Sequence, residues 1–88
     1  MRHFDATLIQ QGYSPSAVHE VPAADLPAGV DELTYIGYFA NGDPEKAVIQ
    51  EIAKSANITT FRYPFGQFDF KFDWNERTAY VYDYRKFY

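Results

Sequence analysis

Residues 41–57 read NGDPEKAVIQEIAKSAN, and this stretch carries the clearest local signal in the chain. Its punctuation predicts a helix over about 44–56. Asp43 is a good N-cap, and Pro44 falls at the first helical position, where its missing N–H is no loss. Glu45 in the first turn complements the helix dipole. Val48, Ile49, Ile52, Ala53 and Ala56 recur at helical spacing, while Lys46, Gln50, Glu51 and Lys54 fall elsewhere around the cylinder. Asn57 is a suitable left-handed stop.

The flanking segments read as strands. Before the helix, ELTYIGYFANG gives a strand over about 33–40. Leu33, Tyr35, Gly37 and Phe39 lie on one side, and Thr34, Ile36, Tyr38 and Ala40 on the other. Both sides are largely apolar, as in an interior strand. Asn41-Gly42 ends it in a tight turn leading to the helix cap. After the helix, ITTFRYPFG gives a strand over about 58–63, broken by Pro64 and Gly66. Pro64 has no N–H for a ladder, which places it at an edge, a bulge or a strand end.

The last 21 residues, FDFKFDWNERTAYVYDYRKFY, hold nine aromatic side chains. They predict strands over about 68–74 and 78–84, joined by a turn near Asn75-Glu76. Side chains alternate along a strand, so loop length decides which residues share a face. An even loop groups Phe68, Phe70, Phe72, Ala79 and Val81, and leaves Tyr80, Tyr82 and Tyr84 beside Asp69, Lys71 and Asp73. An odd loop puts all the large aromatics on one face and must satisfy several buried phenols. No glycine is present for the left-handed position that three-residue loops favour. The even loop is the preferred reading, with Phe inside and a tyrosine ladder outside.

The N-terminal third is less regular. Asp5 caps a short helix over 5–11 stopped by Gly12, or 4–10 forms an edge strand. Ser14-Pro15 opens a second short helix to about residue 20, and 22–29 is an ordered loop. The expected fold is a single α+β domain over 1–88. Its mainly antiparallel sheet (about 33–40, 58–63, 68–74 and 78–84) carries one helix packed across a face.

Composition limits the function. The 88 residues suit one domain, and 47% hydrophobic content with eight Phe, eight Tyr and one Trp supplies a core built on rings. Cysteine is absent, which removes disulfides and thiolate metal sites and suits a reducing compartment. No signal-peptide pattern or membrane-length apolar run occurs, so the expected location is the cytoplasm. The net charge of −4, with eight scattered Lys and Arg, disfavours direct nucleic-acid binding.

No motif carries chemistry. His3 and His19 lack a ligand-type spacing toward Asp5 or Glu20. Ser14, Ser16 and Ser55 sit in no nucleophile setting. Asp69 and Asp73 could form a carboxylate pair but read better as a solvated acidic edge. ANGDPEKA lacks the Lys-Ser/Thr of a phosphate loop, and its acids would repel an anion. The expected catalytic, cofactor and metal sets are therefore empty.

What remains is a surplus of aromatics in an acidic chain. That points to a non-enzymatic protein-binding module or inhibitor. Its expected interface is Tyr80, Tyr82 and Tyr84 with Asp69 and Asp73, facing a protein with a basic surface. A second copy of the chain is an alternative partner. In size and charge alone, the chain resembles the small acidic inhibitors that phages and mobile elements direct at host defence or restriction complexes. The alternative function is binding of a small ligand, sugar or single strand through the surface tyrosines.

Overall fold

The computed structural model describes residues 15–86. The readings of 4–12, His3 and Ser14 lie outside the described residues. Five antiparallel strands follow one another in space as in sequence: β1 (Ala17–Glu20), β2 (Glu32–Ala40), β3 (Asp43–Ser55), β4 (Ile58–Pro64) and β5 (Tyr82–Asp83). The only helical pieces among the described residues are 3-10 turns at Ala23–Asp25 and Trp74–Glu76.

This corrects the α+β expectation. The segment read as a helix over 44–56 is β3, the 13-residue central strand. Asn41 and Gly42 have φ of 52° and 74°, so they close a two-residue hairpin from β2 to β3. Asp43 does accept the Glu45 N–H through Oδ1, at 2.9 Å, but the bond closes a local turn and starts no helix. Pro44, Glu45 and Lys46 form an exposed irregularity where the β2–β3 register shifts, so the proline leaves no ladder bond unmade. From Ala47 to Glu51 every residue is buried. A strand covered on both faces loses the polar–apolar alternation, and a continuous apolar run then mimics one face of a helix. Val48, Ile49 and Ile52 are β-branched and favour the extended chain.

Residues 17–20, read as part of a helix, form β1, and the loop over 22–29 contains one 3-10 turn. The hairpin expected over 68–84 is also absent. β4 ends at Pro64, and the chain turns at Phe65 and Gly66, both with positive φ. The segment 65–81 is then an arm. Phe72 exchanges two backbone hydrogen bonds with Ala47 of β3, at 2.8 and 3.0 Å. Trp74 next lies over Gly37 of β2, where an added Cβ would sit 2.6 Å from the indole. The chain returns as β5, which pairs Asp83 and Tyr82 with Tyr63 and Pro64 of β4.

The arm and the 21–30 loop complete the larger core. Leu33, Tyr35, Ala47, Ile49, Ala53 and Phe72 are buried there, with Val21, Leu26, Trp74, Tyr80 and Tyr82 packed against them. A smaller cluster on the opposite face joins Tyr38, Val48 and Tyr63, with Ile36 and Phe68 at its side. Gln50, 1% exposed, donates from Nε2 to the Tyr63 hydroxyl at 3.0 Å on that face.

Candidate functional site

Strand register assembles a row of polar side chains across the covered face. His19 of β1 stands opposite Tyr35 of β2, Tyr35 opposite Glu51 of β3, and Glu51 opposite Arg62 of β4. The His19 and Tyr35 rings stack with centroids 5.8 Å apart. Arg62 Nη2 lies 2.7 Å from Glu51 Oε1, with the carboxylate side chain only 8% exposed and that of Arg62 37%. Burial first, and then the Glu51 carboxylate, push the Tyr35 phenol above its ordinary value.

The arm closes this row from above. Arg77 Nε donates to His19 Nδ1 at 3.1 Å, and its guanidinium lies 4.6 Å from the Trp74 ring centroid. Tyr82 packs on Tyr35 at 5.5 Å and donates its hydroxyl to the Arg77 carbonyl at 2.6 Å. Burial, followed by the neighbouring Tyr35, raises the Tyr82 phenol. The side chains of the row thus contact one another across β1, β2, β3, β4 and the arm, while Arg62 Nε is buried without a hydrogen-bond partner among the described residues.

The expected interface residues are dispersed. Tyr80 is half-buried, meets Phe72 and Phe65 edge to face at 5.3 and 6.0 Å, and its hydroxyl accepts the Asp73 N–H at 2.9 Å. Asp73 caps the 3-10 turn by accepting the Asn75 N–H. Tyr82 is inside, as above. Tyr84 is 59% exposed, and Asp69 is exposed on the arm. The tyrosine ladder therefore does not form, and Phe70 and Val81, read as core, face outward. Phe72, Trp74, Tyr80 and Tyr82 pack together as the odd loop would have grouped them, without a hairpin. Their phenols find backbone partners, which removes the objection to burying them.

The other candidate chemistry also resolves into structure. His19 accepts from Arg77, and Ser16 Oγ accepts the Phe39 N–H at 2.9 Å. Asp69 and Asp73 share no strand. Among the described residues no group of three His, Cys, Asp or Glu side chains is placed to hold a metal. No helix among them is long and apolar enough to cross a membrane.

Sequence reasoning missed two features. The His19–Tyr35–Glu51–Arg62 row depends on the register shift at Pro44–Lys46, which moves the β2–β3 pairing by three residues after Ala40↔Asp43. The second is the display of Phe65, Phe70, Val81 and Tyr84 along 65–84. These are four of the six exposed large hydrophobics among the described residues, the others being Val18 and Ile58. Phe65 is held outward by its own backbone, at φ 53°, and its N–H bonds the Val81 carbonyl at 2.7 Å. Its signal was the Pro-Phe-Gly triplet, which breaks a strand and leaves an aromatic at the break.

Fold and surface define an antiparallel β-meander whose C-terminal arm wraps one face and presents apolar side chains outward. Comparison with protein-family models, with curated proteins and with solved structures finds no match for this chain.

Proposed function

We propose that the chain is a non-enzymatic protein-binding domain whose contact surface is the exposed side of residues 65–84, the arm together with β5 and Tyr84. The observation that carries this reading is the concentration of Phe65, Phe70, Val81 and Tyr84 on a segment that already supplies four inward rings. Phe65 also packs on Tyr80 and Phe72, but Phe70, Val81 and Tyr84 lie outside both core clusters, and exposed apolar side chains gathered on one segment are characteristic of interaction surfaces. Asp69 is exposed on the same segment, while Asp83 pairs with Lys86 at 3.4 Å and Lys71 is exposed nearby, so the preference for a partner with a basic surface rests on the chain's net charge of −4. The narrower role, inhibition of a host defence complex, rests on size and charge.

The test is capture of a partner from the native host, followed by affinity measurement with Phe65→Ser, Val81→Ser and Tyr84→Ala. Interface energy concentrates in a few aromatic anchors, so at least one variant should lose about 2 kcal/mol of binding. Full affinity in all three, with folding confirmed by circular dichroism, would remove the arm as the interface.

A further inference from the structure

The 21–30 loop folds back on the sheet and leaves a groove of about 270 Å³ beside it. Its lining includes Val21, Pro22, Pro27 and Leu33, with the stacked His19 and Tyr35 at one side and Asp25 and Thr78 completing the wall. A second hollow of about 210 Å³ shares Val21 and Leu33 with it and is bordered by Glu20, Asp31 and Glu32. Neither hollow is lined by a lysine or arginine. Arg77 stands beside the groove, bonded to the lining His19 and to the Trp74 carbonyl, and Lys54 lies 3.6 Å from Glu32, but the carboxylates of Glu20, Asp25, Asp31 and Glu32 outnumber these two cations.

We propose that the groove seats a long basic side chain, lysine or arginine, of the protein partner. The inference rests on the protein-binding reading and adds a second contact to it. A Lys or Arg side chain combines an apolar stem with a cationic head, and such stems lie along apolar surface while the head stays wet and charge-paired. The groove offers both parts of that combination. Val21, Pro22, Leu33 and Pro27 form an apolar bed, and the exposed Asp25 carboxylate stands at its wall. The prolines fix the backbone of the bed, so seating a side chain orders little of the loop. Thr78 joins the groove to the arm, so one partner can reach both.

The experiment is an amide-resolved NMR titration of the full chain with three blocked pentapeptides, Gly-Gly-X-Gly-Gly, where X is arginine, lysine or norleucine. The expected result is saturable shifts at Val21, Leu33, Tyr35 and Thr78 with the arginine and lysine peptides. Norleucine, with a stem and no charge, should bind more weakly. Asp25→Asn should weaken the basic peptides about two- to fivefold, the range of an exposed charge pair, while Glu45→Gln on the β2–β3 hairpin should leave them unchanged. Absence of saturable shifts at those amides, equal binding of norleucine, or equal weakening by Glu45→Gln would overturn the proposal. A captured partner whose affinity survives Asp25→Asn but falls with the arm variants would also overturn it, with the protein-binding reading intact.

Discussion

At Tyr82, burial and hydrogen bonding act on one side chain. The ring packs against Tyr35 and the hydroxyl donates to the Arg77 carbonyl, so truncation removes core contacts and orphans an acceptor. Phe70 is 37% exposed and lies outside both core clusters. Tyr82→Ala should therefore destabilise by about 3 kcal/mol and Phe70→Ala by about 1 kcal/mol or less in urea unfolding. The reverse order would restore the even-loop reading, which polarity and the missing turn glycine favoured. Polarity misled because a phenol can be buried when a backbone group meets it, and the sequence does not show where Asp73 N–H or the Arg77 carbonyl will lie. Gly37 was visible as a glycine on an apolar strand side, but its cause was not: Trp74, 37 residues later, rests on the bare backbone there.

Among the elements, β2 and β4 were legible from their β-branched and aromatic content and from the breakers beyond them. β3 was not, because it combines an Asx turn that mimics a helix cap with a five-residue stretch buried on both faces. The Asn41-Gly42 pair was the contrary signal, since it is the strongest short hairpin marker when apolar runs flank it. The second hairpin offers a test. Ala56 and Asn57 link β3 to β4, and Ala56 occupies a left-handed φ of 53° while its N–H donates to Asp31 Oδ2 at 2.8 Å. Glycine relieves that strain and keeps the N–H, so Ala56→Gly should raise stability by about 1 kcal/mol. In a helix the same change would lower it by a similar amount, so the sign of the shift in the denaturation midpoint distinguishes the two structures.

Over the whole molecule, one central strand organises both clusters, and the arm packs back over the sheet instead of extending it. The candidate surface was legible only as an excess of aromatics near the C-terminus. Which of them turn outward depends on the Phe65-Gly66 turn and on the Phe72–Ala47 bridge, both set by tertiary contacts. The buried phenols give the assembly a pH limit. Tyr35, Tyr38 and Tyr82 are all raised above the ordinary 10.0, with burial the leading cause for each. A raised folded value favours the neutral form, so their contribution is complete below about pH 10 and is lost as pH rises through and beyond it. Tyrosinate absorbance and circular dichroism recorded along an alkaline titration should show these phenols ionising together with loss of the fold. Their ionisation at ordinary values in a still-folded chain would contradict their burial.

Every other element of the fold takes its place from Asp43–Ser55 as the middle strand of the meander. Backbone NMR assignment tests it most directly, through secondary chemical shifts and cross-strand contacts along that segment. Extended-chain shifts are expected from Ala47 to Ser55, with contacts joining Val48 to Tyr38 and Ala53 to both Leu33 and Thr60. Helical shifts over 44–56, with contacts between residues three and four apart and none to β2 or β4, would contradict it.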